Sequence, residues 1–349
     1  MTRVIYVLAT TFLLSASFAA NASQTELRPL TPLADLPTER YVQLATEQRY
    51  DEALLLADSL QSSNPTSPEG YFFRLTILNN RSIDFEDDLD ESGLLAAADS
   101  VKAICNRRIS AGDSSALVRL YLGSANGFKM IHALREHEFI SAITLGSEAA
   151  DILEEAIQID STCYDAYAGL GNYYYFQSRY GGILRAAGLI RDRRDLGIEM
   201  LRKAAAYGYL TSYAAASSIA WIWIDKEQPD SAVAIMRDLL QQHPESRAFL
   251  WCMAKAQKML KHWDESLIYY LRLLESVRSQ PRNNHHNEIG CLHSIAIAYS
   301  GLGEWENVAK TADVAFALKL RPEVAKRKSD DLDHLKQLKS EALKNLERK

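Results

Sequence analysis

Between Tyr167 and Ala315 the chain repeats one alternation of small and bulky residues, and few folds can accommodate it. Tyr167, Leu170, Gly171 and Tyr174 are followed by Gly197, Leu201 and Ala204. The same spacing returns at Ala216, Ile219, Ala220 and Trp223, with Ala232, Met236, Leu239 and Pro244. It returns at Leu250, Met253, Ala254 and Gln257, with Ser266, Tyr270 and Leu273, and again at Leu292, Ile295, Ala296 and Tyr299, with Val308, Ala312 and Ala315. Apolar residues recur three and four apart, β-branched runs are scarce, and no alternating strand pattern intervenes, so the chain reads as helical throughout. Small residues such as Gly171, Ala220, Ala254 and Ala296 let paired helices approach closely, while Leu170, Trp223 and Tyr270 fill the space between neighbouring pairs. Pro65 and Pro244 would end second helices, because proline lacks the donor N–H and clashes with the preceding turn.

A helix–turn–helix unit of about 34 residues with this phase resembles the tetratricopeptide repeat family. The resemblance implies an all-α, right-handed α-α solenoid whose inner surface is lined by the first helix of each unit. It also implies a protein that holds a protein or peptide partner in its concave face. Ala53, Ala57, Leu60 and Pro65, and again Ala149, Leu153 and Ala156, match the second half of a unit, so the array is expected to begin early in the chain.

The expected organisation is a signal peptide at 1–22, a Pro-containing linker at 23–36 and irregular repeats at 37–162. Regular repeats occupy 163–322, with an insertion at 175–194, and a charged capping helix takes 323–349. The irregular half carries an acidic stretch from Asp84 to Glu91. The insertion, where Gly181, Gly182, Ile183, Leu184 and Leu189 alternate with Arg185, Arg191, Arg193 and Arg194, is similar to a segment of the Iml2-like, tetratricopeptide-39 family. Two readings of it stay open: it folds back over a neighbouring unit, or it lies on an anionic membrane surface. In the last segment Leu332, Leu335, Leu338, Ala342 and Leu346 share one face, as a terminal cap with a polar outer side requires.

The leader expectation rests on Arg3, the apolar run from Val4 to Leu14 and the small residues Ala20 and Ala22, with cleavage between Ala22 and Ser23. It implies a secreted or periplasmic protein; an uncleaved anchor is the competing reading. Cys105, Cys163, Cys252 and Cys291 lie far apart in sequence and show no metal-type or redox-type spacing, so unpaired thiols are expected. The net charge of −6 argues against a nucleic-acid partner, since such proteins gather a basic excess on one face.

Catalytic signatures are missing from the sequence. It contains no Gly-x-Ser-x-Gly elbow, no phosphate-cradling glycine loop and no His-Glu-x-x-His pair. His132 and His137 are five apart and so fall on different helix faces, and His285, His286 and Glu288 read as a polar turn. No cofactor, no metal and no enzymatic activity are expected. Tracing the repeat phase along the first helices gives the candidate partner-binding positions: Asn172 and Tyr175, Trp221 and Asp225, Trp251, Lys255 and Lys258, then His293. Aromatic and basic groups on a concave wall suit an extended peptide. The opposing reading makes Trp221 and Trp251 core fillers.

Overall fold

A computed structural model describes residues 30–186, 188 and 190–348. The leader and most of the 23–36 linker lie outside the described residues. Seven helix pairs run in chain order among those residues: α1 (Thr38–Thr46) with α2 (Tyr50–Ser63), α3 (Glu69–Phe85) with α4 (Glu91–Ser110), and α5 (Ala116–Arg135) with α6 (Phe139–Ile159). Next come α7 (Tyr164–Tyr180), the short α8 (Gly182–Ala186) and α9 (Arg194–Tyr207), where α9 is the partner of α7. Then α10 (Ser212–Asp225) pairs with α11 (Pro229–Gln242), α12 (Arg247–Met259) with α13 (Trp263–Arg278), and α14 (His286–Leu302) with α15 (Trp305–Phe316). Finally, α16 (Pro322–Arg327) leads into α17 (Ser329–Glu347), which packs on α14 and α15.

Each helix packs on the next, and first helices also meet first helices of adjacent units: α1 with α3, α3 with α5, α5 with α7, α7 with α10, α10 with α12. Close approach on that side makes it the inner wall of a curved solenoid. The small positions read from the sequence lie at the crossings. Ala220, Ala254 and Ala296 are fully buried, and at the α7–α9 crossing two glycines meet. A β-carbon on Gly171 would sit 2.7 Å from the Gly197 carbonyl oxygen, and one on Gly197 2.6 Å from the Gly171 oxygen. Leu170, Leu201 and Tyr270 fill the intervening space and are buried. α2 stops at Ser63 and α11 at Gln242, each just ahead of the proline expected to end it.

The structure refines the expected boundaries. The irregular half is made of the same kind of helix pairs as the regular half, with longer helices in its second and third pairs: α4 and α5 have 20 residues and α6 has 21, against 14 in α10 and α11. The insertion begins later than expected, because α7 continues through Tyr175 to Tyr180. The segment beyond Tyr180 folds back on α7: Ser178 Oγ accepts from Arg193 N (2.8 Å) and donates to the Arg191 carbonyl (3.4 Å), and Arg185 pairs with Asp192 at 2.8 Å. At the C-terminus Leu335, Leu338 and Ala342 bury the inner face of α17 in the last apolar cluster.

Between α7 and α10, the buried Asp165 carboxylate organises a turn. Its Oδ1 accepts from Leu210 N (2.8 Å), Thr211 N (2.9 Å) and Thr211 Oγ1 (2.8 Å), and its Oδ2 accepts from Tyr209 N (3.2 Å). Backbone donors of the turn that leads from α9 into α10 are thereby satisfied.

Gly171→Val should destabilise the chain by about 1–3 kcal/mol, because rigid backbone on α9 must move to make room. Gly127→Ala, on α5 with no atom near the added methyl, should instead stabilise it by about 0.5–1 kcal/mol. Denaturant unfolding of the two variants checks both signs.

Candidate partner-binding surface

The eight positions read from the repeat phase all lie on the first helices, yet most are engaged with the next unit. On α7, Tyr175 is 1% exposed, which corrects its expected solvent-facing role. Its hydroxyl donates to Asp225 Oδ2 on α10 (2.9 Å), and Arg179 Nε donates to the same oxygen (2.8 Å). Burial, reinforced by the Asp225 charge, pushes the Tyr175 phenol well above its ordinary range. Burial also opposes the Asp225 charge, but the Arg179 and Tyr175 hydrogen bonds more than reverse that and hold it low. Asn172 donates to its own helix at the Ala168 carbonyl (3.0 Å).

The same pattern recurs farther along. Trp251 packs edge-on against Tyr270, ring centroids 6.0 Å apart, which places it with the core as the opposing reading held. Lys258, largely buried, donates to Ser294 Oγ on α14 (3.0 Å) and sits over the Tyr270 ring. Burial, with Lys255 nearby, depresses its ammonium to about 8. His293 Nδ1 faces Asp331 on α17 at 3.2 Å, and its Nε2 lies 2.8 Å from His334 Nδ1. The Asp331 carboxyl is held far below its usual range by the His293 hydrogen bond and by Lys328. These side chains form a polar ladder that ties α7 to α10, α12 to α14 and α14 to α17. Trp221 is different: it is 40% exposed, one turn before Asp225 on the same face of α10. Lys255 is half-buried on α12, the first helix of the next unit, near Lys258.

A second polar surface was not legible as a site in the sequence. The α3–α4 turn, which carries the acidic stretch, reaches across to the C-terminal units. Arg247, at the start of α12, grips Asp84 with Nε at 2.9 and 3.1 Å from the two carboxylate oxygens. Arg282 donates to Asp90 at 2.6 Å and lies 3.5 Å from Asp87. Arg327 pairs with Glu86. Two asparagines read the backbone of the same turn: Asn287 Nδ2 donates to the Asp84 carbonyl (2.7 Å) and Asn284 Nδ2 to the Glu86 carbonyl (2.8 Å). In the turn between α1 and α2, Gln48 accepts from Arg247 N at 3.0 Å. Residues up to 241 apart in sequence are thus joined, and successive turns of the superhelix touch.

His286 borders this contact. Its Nδ1 is buried without a partner. Burial, with Lys328 and Arg327 outweighing Glu86 and Asn287, depresses the imidazole to about 4. All four cysteines carry free thiols, and burial pushes those of Cys105, Cys163 and Cys252 up to about 12. Among the described residues no group of three or more His, Cys, Asp or Glu could hold a metal ion, and no helix is long and apolar enough to cross a membrane.

Similarity to solved structures lies in the architecture. The crystal structure of the hetero-tetramer Cut9–Hcn1 of the APC/C is similar over 88% of this chain and 51% of that one, with a TM-score of 0.54 and 13% identity. The chain has the tetratricopeptide-repeat fold. It spans about half the length of that first relative. YrrB, described as a tetratricopeptide-repeat protein with an unusual peptide-binding site, aligns at a TM-score of 0.43 and 14% identity, over 65% of this solenoid and 97% of its own chain. The C-terminal part of a repeat protein from Cytophaga hutchinsonii aligns at 0.44 and 16%, over 83% and 98%. No family model matches the sequence, and no curated protein matches it.

The depressed imidazole gives the repeat solenoid a pH dependence with a definite sign. An unfolded His286 binds its proton near pH 6.5 and the folded one only near 4, so the stability due to its neutral form is complete above 6.5 and falls as the pH drops towards 4. Thermal melts across that window should show a smaller loss for His286→Gln than for the wild type.

Proposed function

We propose that the chain is a non-catalytic scaffold that holds a protein or peptide partner on the inner wall of its solenoid. The observation that carries this reading is Trp221, a large aromatic side chain left 40% exposed on an inner helix whose other polar and aromatic positions are mostly engaged with neighbouring units. Tryptophan on a concave, rigid wall can bury a large contact area at small cost in conformational entropy, which is why such residues dominate binding energetics. Lys255, on the first helix of the next unit, supplies a cation for an acidic or carbonyl-rich segment. The residues read as a single groove therefore divide by role: Trp221 and Lys255 contact the partner, whereas Tyr175, Asp225, Trp251, Lys258 and His293 keep adjacent inner helices in register. Cut9 assembles with Hcn1 in a hetero-tetramer, which offers a precedent for this fold within a protein complex.

The proposal sets the scaffold in the periplasm or at the cell envelope, a reading that rests on the leader expected at residues 1–22. Attachment to a membrane through 180–194 is the less favoured reading, since Asp192 holds both Arg185 and Arg194 within the insertion itself.

Trp221→Ala should weaken capture of envelope partners by about tenfold or more while leaving the melting temperature within a degree or two of wild type. Crosslinking in the native envelope with quantitative pulldown measures it; unchanged recovery of the same partners would remove the inner wall as the binding surface.

A further inference from the structure

The contact between superhelical turns has the form of a bound peptide. From Asp84 to Asp90 the chain reads Asp-Phe-Glu-Asp-Asp-Leu-Asp. Its carbonyls at positions 84 and 86 are taken by asparagine side chains, and its carboxylates by Arg247, Arg282 and Arg327. Arg282 also lies over the Phe85 ring, 4.9 Å from its centroid. Backbone readout by side-chain amides, carboxylate readout by guanidinium forks and a cation on an aromatic face are the devices by which one chain recognises an acidic segment of another.

The way this contact is held makes the acidic turn exchangeable. Every apolar cluster of the solenoid joins units adjacent in sequence, and the cluster that contains Phe85 shares no residue with the one that contains Leu292 and Leu335. What bridges the turns is charge and hydrogen bonding, running from the buried Arg247–Asp84 pair (11% and 12% exposed) out to Arg327–Glu86 at the rim (47% and 28% exposed). The rim pair is of the weak, salt-screened kind, so an intermolecular segment with the same groups can begin to displace the turn from that end. At the rim His286, with its unpartnered Nδ1, lies beside Lys328 and Arg327, which pair with Asp331 and Glu86.

We infer that the surface formed by Arg247, Arg282, Asn284, Asn287 and Arg327 is a recognition site for acidic peptide segments of the Asp-aromatic-Glu-Asp type, filled in the isolated molecule by the chain's own α3–α4 turn. This rests on the scaffold reading and names a class of partner for it, at a surface separate from the Trp221 wall. An acidic segment of a partner replaces the turn and releases the contact between superhelical turns.

The test uses the full chain and a fluorescein-labelled peptide of residues 82–92. Glu86→Gln with Asp87→Asn, which weakens the internal competitor where it meets Arg327 and Arg282, should tighten peptide binding by about tenfold over wild type. Adding Arg282→Ala and Arg327→Ala to that background should abolish the gain. A peptide of the same composition in reversed order should bind at least tenfold more weakly. Equal binding by wild type and the loop variant, or equal binding of the reversed peptide, overturns the site. Should the loop variant melt prematurely, hydrogen exchange on the wild type decides instead: the peptide must protect residues 282–287 and deprotect 84–90, and no such swap overturns the proposal. The two readings fail separately. Loss of partner capture in Trp221→Ala with no peptide binding leaves the scaffold standing and removes this site, whereas peptide binding with undiminished capture by Trp221→Ala does the reverse.

Discussion

At the crossing of α7 and α9 the two backbones meet with no side chain between them, Gly171 against Gly197, and the alanines at 220, 254 and 296 bury small side chains at the equivalent inner-helix positions of the later units. Helices that approach this closely on one side, while Leu201 and Tyr270 hold them apart elsewhere, accumulate curvature from unit to unit. Everything else depends on that curvature. It brings first helices side by side, so that a hydroxyl on α7 can find a carboxylate on α10. It also swings the N-terminal turns round until they meet the connections of the C-terminal units.

Most of this framework was legible in the sequence, because small and bulky residues must keep phase if identical units are to stack. The helical class, the pairing, the ends set by Pro65 and Pro244 and the apolar stripe of the last helix are all consequences of local spacing. The candidate wall was legible only as a face. The phase says which way Tyr175, Lys258 and His293 point, but their partners, Asp225, Ser294 and Asp331, come from other units at separations no local pattern encodes. Tyr175 departs from its expected role for that reason: it faces inward, and α10 covers it. The acidic stretch at 84–91 was visible as composition, but Arg247, Arg282 and Arg327 lie more than 160 residues away in the chain.

Two kinds of adhesion therefore operate at different ranges. Within and between adjacent units the solenoid is held by buried apolar contact, which salt does not weaken. Between superhelical turns it is held by arginine–carboxylate pairs, of which the rim pair Arg327–Glu86 is the one most open to screening by salt. A molecule built this way keeps its units intact while the spacing of its turns responds to the surrounding medium.

The terminal helix has a consequence of its own. Leu335, Leu338 and Ala342 lie over α14 and α15 where an eighth unit would otherwise stack. Stripped of α17, the array would end in a naked apolar platform shaped to receive the leading helix of any similar unit. The nineteen residues of α17 thus keep water from the apolar side of the last helix pair.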